Sequence, residues 1–218
     1  MSNTKYLEHK IIMIDEDKNE PQKPCLFLDR DGVVIKEKHY ISKAKDVEIC
    51  PGIQSIIKDA MKNSWRIVIV TNQSGISRGL FKWSDYEEVT AKMLSLLKGC
   101  EISGIYANGY SPENKNARWR KPNPSMLFKA CEELQLDIRN SIIIGDRISD
   151  IQAGARASLK AAVHVLSKHG EIERPQIFSL TNKNGYFIDT NNKIKVIMID
   201  SLINFPFDLL KGTKTIKK

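Results

Sequence analysis

Cys25-Leu26-Phe27-Leu28-Asp29-Arg30-Asp31-Gly32-Val33-Val34 is the stretch on which the reading of this chain turns. Its first four residues, set between Pro24 and a turn, form the short apolar run of a buried strand. The strand stops at two carboxylates, Asp29 and Asp31, two positions apart, and Gly32 then turns the chain. Both acids therefore stand at a strand end, where a cleft can receive them. Alone, the pair supports a metal site or acid–base chemistry and nothing finer.

Working outward, the same arrangement recurs. Ile67-Val68-Ile69-Val70 reads as a second buried strand and ends at Thr71-Asn72-Gln73-Ser74-Gly75. Ile102 to Tyr106 is a weaker third strand, leading through a polar loop to Arg120-Lys121-Pro122. Ser141-Ile142-Ile143-Ile144 ends at Gly145-Asp146, with Asp150 just beyond, and Ala161 to Leu166 is a fifth strand. Between them lie helices. Pro51 opens one with Ile53, Ile56, Ile57, Ala60 and Met61 on one face. Ser84 with Glu87 has the spacing of a capping box for a second, running to about Lys98 and stopped by Gly99. Asn123 and Pro124 start a third, with Met126, Leu127, Ala130, Cys131 and Leu134 inward, and a short helix follows Asp146.

Strands alternating with helices predict an α/β fold with a parallel sheet and right-handed crossovers. Continuous apolar strands predict helices on both faces. The flanks are less regular. Ile11-Ile12-Met13-Ile14 is a candidate edge strand within polar residues 1–23, which are set apart as an N-terminal extension of a domain spanning 24–218. Phe178 to Asp189 is a candidate hairpin around Asn184-Gly185. Ile194 to Ile199 reads as a final strand and Leu202 to Leu210 as a final helix.

The 218 residues suit one substantial core, and a hydrophobic fraction of 41% with 8 prolines is that of a soluble globular protein. No apolar run approaches the roughly 20 residues of a membrane span, and Met1 to Lys10 lacks the apolar region of a secretory signal. Cys25, Cys50, Cys100 and Cys131 are widely spaced, so free thiols in a reducing cytoplasm are expected. The net charge of +8 fits an anionic partner, a phosphate ester or nucleic acid. It fits better a lysine-rich surface that keeps the protein soluble, since much of the excess, Lys211, Lys214, Lys217 and Lys218, lies in the tail. A monomer is expected.

In an open parallel sheet, ligands bind at the carboxyl ends of the strands. The fold would bring Asp29/Asp31, Thr71/Asn72, Arg120/Lys121 and Asp146/Asp150 together there. Three carboxylates at one point require a cation, and a site offering only oxygen suits Mg²⁺. A carboxylate can attack phosphorus to give an aspartyl-phosphate that water then hydrolyses. Lys121 and the Thr71 hydroxyl would stabilise the transferring group, and the second carboxylate would protonate the leaving alcohol and later activate water.

Asp29-Arg30-Asp31-Gly32, the Thr71 strand end, Lys121 before Pro122 and Gly145-Asp146 through Asp150 resemble the four signatures of haloacid dehalogenase-type phosphatases. That resemblance implies a three-layer, Rossmann-like fold with Asp29 as nucleophile and Asp31 as general acid/base. It implies Mg²⁺ held by Asp29, the Asp31 carbonyl and Asp146, with Asp150 in support, and a phosphoryl group held by Thr71 and Lys121. The intervals Asp31–Thr71 and Thr71–Lys121 leave no room for a cap domain, so an open site is expected.

Tyr40, Thr71-Asn72-Gln73-Ser74-Gly75-Ile76, Arg78-Gly79 and Arg120-Lys121-Pro122 extend the likeness to the capless D-glycero-D-manno-heptose-1,7-bisphosphate 7-phosphatases and their histidinol-phosphatase relatives, over roughly residues 25–166. The substrate implied is a small phosphorylated sugar. Arg30, Glu37, Lys38, His39, Tyr40, Asn72, Gln73, Ser74, Arg78, Arg120 and Arg147 are the substrate-binding set implied with it. Arg118, Arg120 and Lys121 form a basic cluster suited to a second phosphate. His164 reads as a core histidine.

The zinc loop of those families is missing its ligands. Asn108, Tyr110, Ala117 and Trp119 stand at the equivalent positions, so structural zinc is not expected, and packing of Tyr110 and Trp119 is expected to hold the loop. Three other functions compete. One is a histidinol-phosphate phosphatase. Another is a polynucleotide 3′-phosphatase, whose signatures also include Thr-Asn-Gln and Arg-Lys-Pro, although no aromatic-and-basic groove for a nucleic acid strand is evident. The last is a non-catalytic phosphate binder, in which three intact carboxylates without metal would cost stability.

Overall fold

The computed structural model describes residues 7–13, 21–114 and 117–211. Eight strands form one sheet: β1 (Glu8–Ile12), β2 (Lys23–Leu28), β3 (Arg66–Asn72), β4 (Gly104–Asn108), β5 (Leu136–Gly145), β6 (Ala161–Val165), β7 (Tyr186–Asp189) and β8 (Asn192–Ile199). Their order is β1-β4-β3-β2-β5-β6-β8-β7. The central strands run parallel, and the edges β1 and β7 are antiparallel to β4 and β8. Among the described residues, five helices cover it: α1 (Ile53–Lys62), α2 (Trp83–Leu96), α3 (Ser125–Leu134), α4 (Ile148–Arg156) and α5 (Lys168–Ser179).

The quoted stretch lies at the centre, with β2 between β3 and β5. Alternate residues of β2 point to opposite faces, as any strand dictates. Leu26 and Leu28 join a core with Ile53, Ile56 and Ile57 of α1 and Val89 and Met93 of α2. Cys25 and Phe27 join the other, with Met126 and Leu127 of α3 and Ile151 of α4. A strand buried on both faces has no solvent side on which to place polar residues, which is why its sequence is uninterrupted. Between Asp31 and Thr71 the chain holds α1 and one 3₁₀ turn, and between Thr71 and Lys121 it holds α2 and β4. Among the described residues, no cap domain is inserted in either interval.

Four local expectations are corrected. α2 starts at Trp83, where the Lys82 N–H donates to the Asp85 carboxylate (2.7 Å), and Glu87 instead meets His9 of β1 at 3.0 Å. The edge strand covers Glu8–Ile12. The hairpin of full strands is β7–β8, turning at Thr190 (φ 50°); around Asn184-Gly185 the expected pairing is reduced to a single antiparallel bridge, Thr181 to Phe187, between the end of α5 and β7. The final helix is two 3₁₀ turns, Leu202–Asn204 and Phe207–Leu210. Pro206 divides them, holding Phe205 extended (φ −60°, ψ 131°). Ile14, most of the N-terminal extension and Lys214, Lys217 and Lys218 lie outside the described residues. No described helix is long and apolar enough to cross a membrane.

Candidate active site

The Asp29 N–H donates to the Ile144 carbonyl (3.0 Å), which carries the β2–β5 pairing one residue further and sets Asp29 beside Gly145-Asp146. One carboxylate oxygen from each of Asp29, Asp146 and Asp150 lies within 4.8 Å of the others, and all three residues are buried. Two glycines permit this closeness. A Cβ on Gly32, whose φ is +88°, would lie 2.4 Å from Asp146 Oδ2, and one on Gly145 would lie 2.2 Å from Asp150 Cβ. Gly32→Ala is therefore expected to cost more than about 1 kcal/mol of unfolding stability and to push Asp146 aside. Denaturant melts check this, and a melt matching wild type contradicts it.

Lys121, 2% exposed, is the cation of this floor. Its Nζ donates to Asp29 Oδ1 (2.7 Å) and to the Val70 carbonyl (2.7 Å), and lies 2.6 Å from Asp150 Oδ1. Asn72 holds the lysine's backbone at both ends, donating Nδ2 to the Lys121 carbonyl (3.0 Å) and accepting the Lys121 N–H on Oδ1 (3.1 Å). Arg156 of α4 secures the next residue. Its Nη1 donates to the Pro122 carbonyl (3.2 Å) and its Nε to Asp189 Oδ2 of β7 (2.7 Å).

Burial raises the Asp29 carboxyl above its ordinary range against the pull of Lys121, and the charges of Asp150 and Asp31 add to the rise. Asp146 is raised for the same reason, first by burial and then by Asp29 and Asp150. For Lys121, burial alone would lower the ammonium, but Asp150 and Asp29 outweigh it and the net shift is upward. Asp146 Oδ2 accepts from the Ser167 hydroxyl, while its Oδ1 is buried with no hydrogen-bond partner. An orphaned carboxylate oxygen amid two more acids is the donor set of a hard divalent cation.

Asp31 turns away from this trio. Its oxygens accept from Arg30 Nε and Nη2, and Oδ2 also accepts from Gln73 Nε2 (2.7 Å). The same Gln73 nitrogen donates to Thr71 Oγ1 (2.8 Å), which leaves the Thr71 hydroxyl proton to be given elsewhere. Arg30 is 1% exposed, with its guanidinium 5.1 Å above the Tyr86 ring.

Above the floor opens a cleft of about 560 Å³. Glu37, His39, Tyr40, Asn72, Gln73, Ser74, Arg78, Arg120 and Arg147 all line it, as does Arg30, although its side chain is almost wholly buried. Lys38 does not line it, being drawn to Glu48 on the exterior (2.5 Å). Arg78, Arg120 and Arg147 are all among the lining residues, and Arg120 is lowered from its ordinary value by burial and by the nearby charges of Arg147 and Arg78. His164 is fully buried. Its Nε2 must donate to the Asp146 carbonyl (3.1 Å), since a carbonyl only accepts, and burial pushes its pKa down to about 4. The Asn108–Trp119 loop is held through the Tyr110 carbonyl, which accepts from Asn108 Nδ2 (2.9 Å) and Arg120 Nη1 (3.1 Å), and Trp119 packs near Tyr106.

Ser167, His169 and Glu173 belong to the site or its support and were not foreseen, because α5 was not. α5 buries only Gly170 and Ile177, contains Pro175, and leaves Ile172 and Phe178 exposed, so no helical stripe marks it. The one available signal was Ser167, which caps the helix by accepting from the His169 and Gly170 N–H groups.

A parallel sheet with buried acids beyond the ends of two neighbouring strands, β2 and β5, and a buried lysine among them suits a phosphoryl-handling hydrolase, and the chain belongs to the haloacid dehalogenase-like hydrolases, whose family model matches residues 2–158. Within that family it is an enzyme of the phosphatase type. It is 40% identical over 139 residues to the D-glycero-beta-D-manno-heptose-1,7-bisphosphate 7-phosphatase of Helicobacter pylori, a match covering 62% of this chain and 80% of that one. It is 40% identical over 143 residues to the D-glycero-alpha-D-manno-heptose-1,7-bisphosphate 7-phosphatase of Campylobacter jejuni, covering 65% and 81%. Among crystal structures, a haloacid dehalogenase-like phosphatase of Mesorhizobium loti superposes with a TM-score of 0.74 at 30% identity, covering 95% of this chain and 93% of that one. The D,D-heptose 1,7-bisphosphate phosphatase of B. bronchiseptica, complexed with magnesium and phosphate, superposes at 0.69 and 24% identity, covering 83% and 94%.

Proposed function

We propose that this protein is a cytoplasmic, Mg²⁺-dependent phosphomonoesterase acting through an aspartyl-phosphate, with D-glycero-D-manno-heptose 1,7-bisphosphate as its substrate. The observation that carries the reading is the buried Asp29–Asp146–Asp150 group, joined by Lys121, beneath an open cleft lined by Arg78, Arg120 and Arg147. The two relatives at 40% identity, both named for this bisphosphate, support the choice of sugar.

In the proposed reaction an Asp29 oxygen attacks phosphorus as the bond to the leaving alcohol breaks, and Asp31 gives that alcohol its proton. Asp31 then takes a proton from water, the oxygen attacks the aspartyl-phosphate, and the Asp29–phosphorus bond breaks to free phosphate. Lys121 and the Thr71 hydroxyl balance charge on the transferring oxygens. Gln73 and Arg30 fix Asp31 at its station. Asp29, Asp146 and the Asp31 carbonyl, with Asp150 in support, would hold Mg²⁺, which neutralises the clustered acids and the phosphoryl oxygens. The orphaned Asp146 Oδ1 is the feature of the chain that fits it.

A phosphate-release panel tests the reading. Turnover is expected on the heptose bisphosphate, lost to chelator and restored by Mg²⁺. Preference for histidinol phosphate or a 3′-phosphorylated oligonucleotide would replace the substrate, and no turnover across the panel would leave a phosphate-binding protein.

A further inference from the structure

We propose that Glu173, brought to the cleft by α5, is a specificity-setting residue: it serves Arg147 as an internal counter-anion that a second phosphate on the substrate must displace. The proposal deepens the reading above and rests on it for the nature of the ligand. α5 follows the stretch matched by the family model, which ends at residue 158, so this carboxylate comes from a part of the chain outside that match.

The two contacts of Glu173 differ in strength. Oε2 accepts the Ile148 N–H at 2.7 Å, a charge-assisted bond at the first turn of α4, where the N–H groups otherwise go unpaired. Oε1 meets Arg147 Nη1 at a looser 3.4 Å, and the arginine side chain is 44% exposed against 23% for the glutamate. The first contact anchors the carboxylate, and the second is a partly solvated ion pair of small worth. Arg147 is thus held by an exchangeable partner while lining the same cleft as Arg78 and Arg120. A single phosphate at the Asp29 end leaves the pair undisturbed, whereas a bisphosphate competes for Arg147.

The same cap reaches the floor. The Arg147 N–H donates to Asp150 Oδ2 (3.1 Å) and Asp150 Oδ1 faces Lys121, so deleting the Glu173 side chain loosens both the α4 start and the acid cluster. Two variants separate these effects. Glu173→Gln keeps an acceptor for the Ile148 N–H and removes the charge. It is expected to lower the KM for heptose 1,7-bisphosphate about two- to five-fold relative to the 7-monophosphate, and to tighten inorganic phosphate binding in calorimetry. Glu173→Ala removes the cap as well, lowering melting temperature and reducing kcat on both substrates together.

An unchanged KM ratio with unchanged phosphate affinity in Glu173→Gln overturns the proposal. So does a Glu173→Gln variant that merely repeats the uniform kcat loss of Glu173→Ala, since that is a structural role alone. Calorimetry needs no turnover. A wild-type protein that binds phosphate but hydrolyses neither sugar defeats the enzymatic reading, and the phosphate affinities of the two forms still decide this one.

Discussion

Asp29→Asn is expected to abolish phosphate release, by at least about four orders of magnitude, while leaving the protein folded. The amide keeps the shape of the side chain but lacks the oxygen charge that attacks phosphorus. Stability should not suffer in metal-free protein, because Asp29 is buried among like charges that already push its carboxyl upward. Lys121 retains Asp150 and the Val70 carbonyl. Turnover under saturating Mg²⁺ and a thermal melt in chelator are the two measurements. Activity within tenfold of wild type would remove Asp29 from the nucleophile's role.

Lys121→Met is expected to give the largest loss of stability of any single change at the site, about 3–5 kcal/mol in metal-free protein. The ammonium is 2% exposed and touches Asp29, Asp150 and the Val70 carbonyl, so its removal leaves three buried acids with no cation. A divalent ion bound by those acids would return part of the loss, about 2.7 kcal/mol at a hundredfold excess over its dissociation constant. The melting temperature of the variant should therefore depend on Mg²⁺ far more steeply than that of wild type, while turnover stays absent even in the metal. A variant as stable as wild type in chelator would show that Lys121 is not the counter-charge of the cluster.

The centre of the fold was legible because burial on both faces forces continuous apolar strands, and because a parallel sheet gathers the strand ends. Asp29, Thr71, Lys121 and Asp146 could be placed together on that ground alone. The roles of Arg30 and Lys38 could not. Both are charged residues next to site residues, and sequence does not say that Arg30 folds under Asp31 onto Tyr86 or that Lys38 turns out to Glu48. The wall formed by α5 escaped notice for a different reason. Its helix is fixed by polar contacts at its first turns, from Ser167 to Asp146 and from Glu173 to Ile148, and such contacts leave no periodicity in the chain.

The bond from Arg156 to the Pro122 carbonyl and to Asp189 sets an order in time as well as in space. During synthesis the ribosome delivers Asp29, Thr71, Lys121 and Asp146 well before it delivers β7. The arginine that fastens the lysine loop therefore lacks its own carboxylate partner until β7 has emerged and paired. A product cut short before Asp189 would carry all four signature segments, with Arg156 deprived of the carboxylate that holds it against the lysine loop.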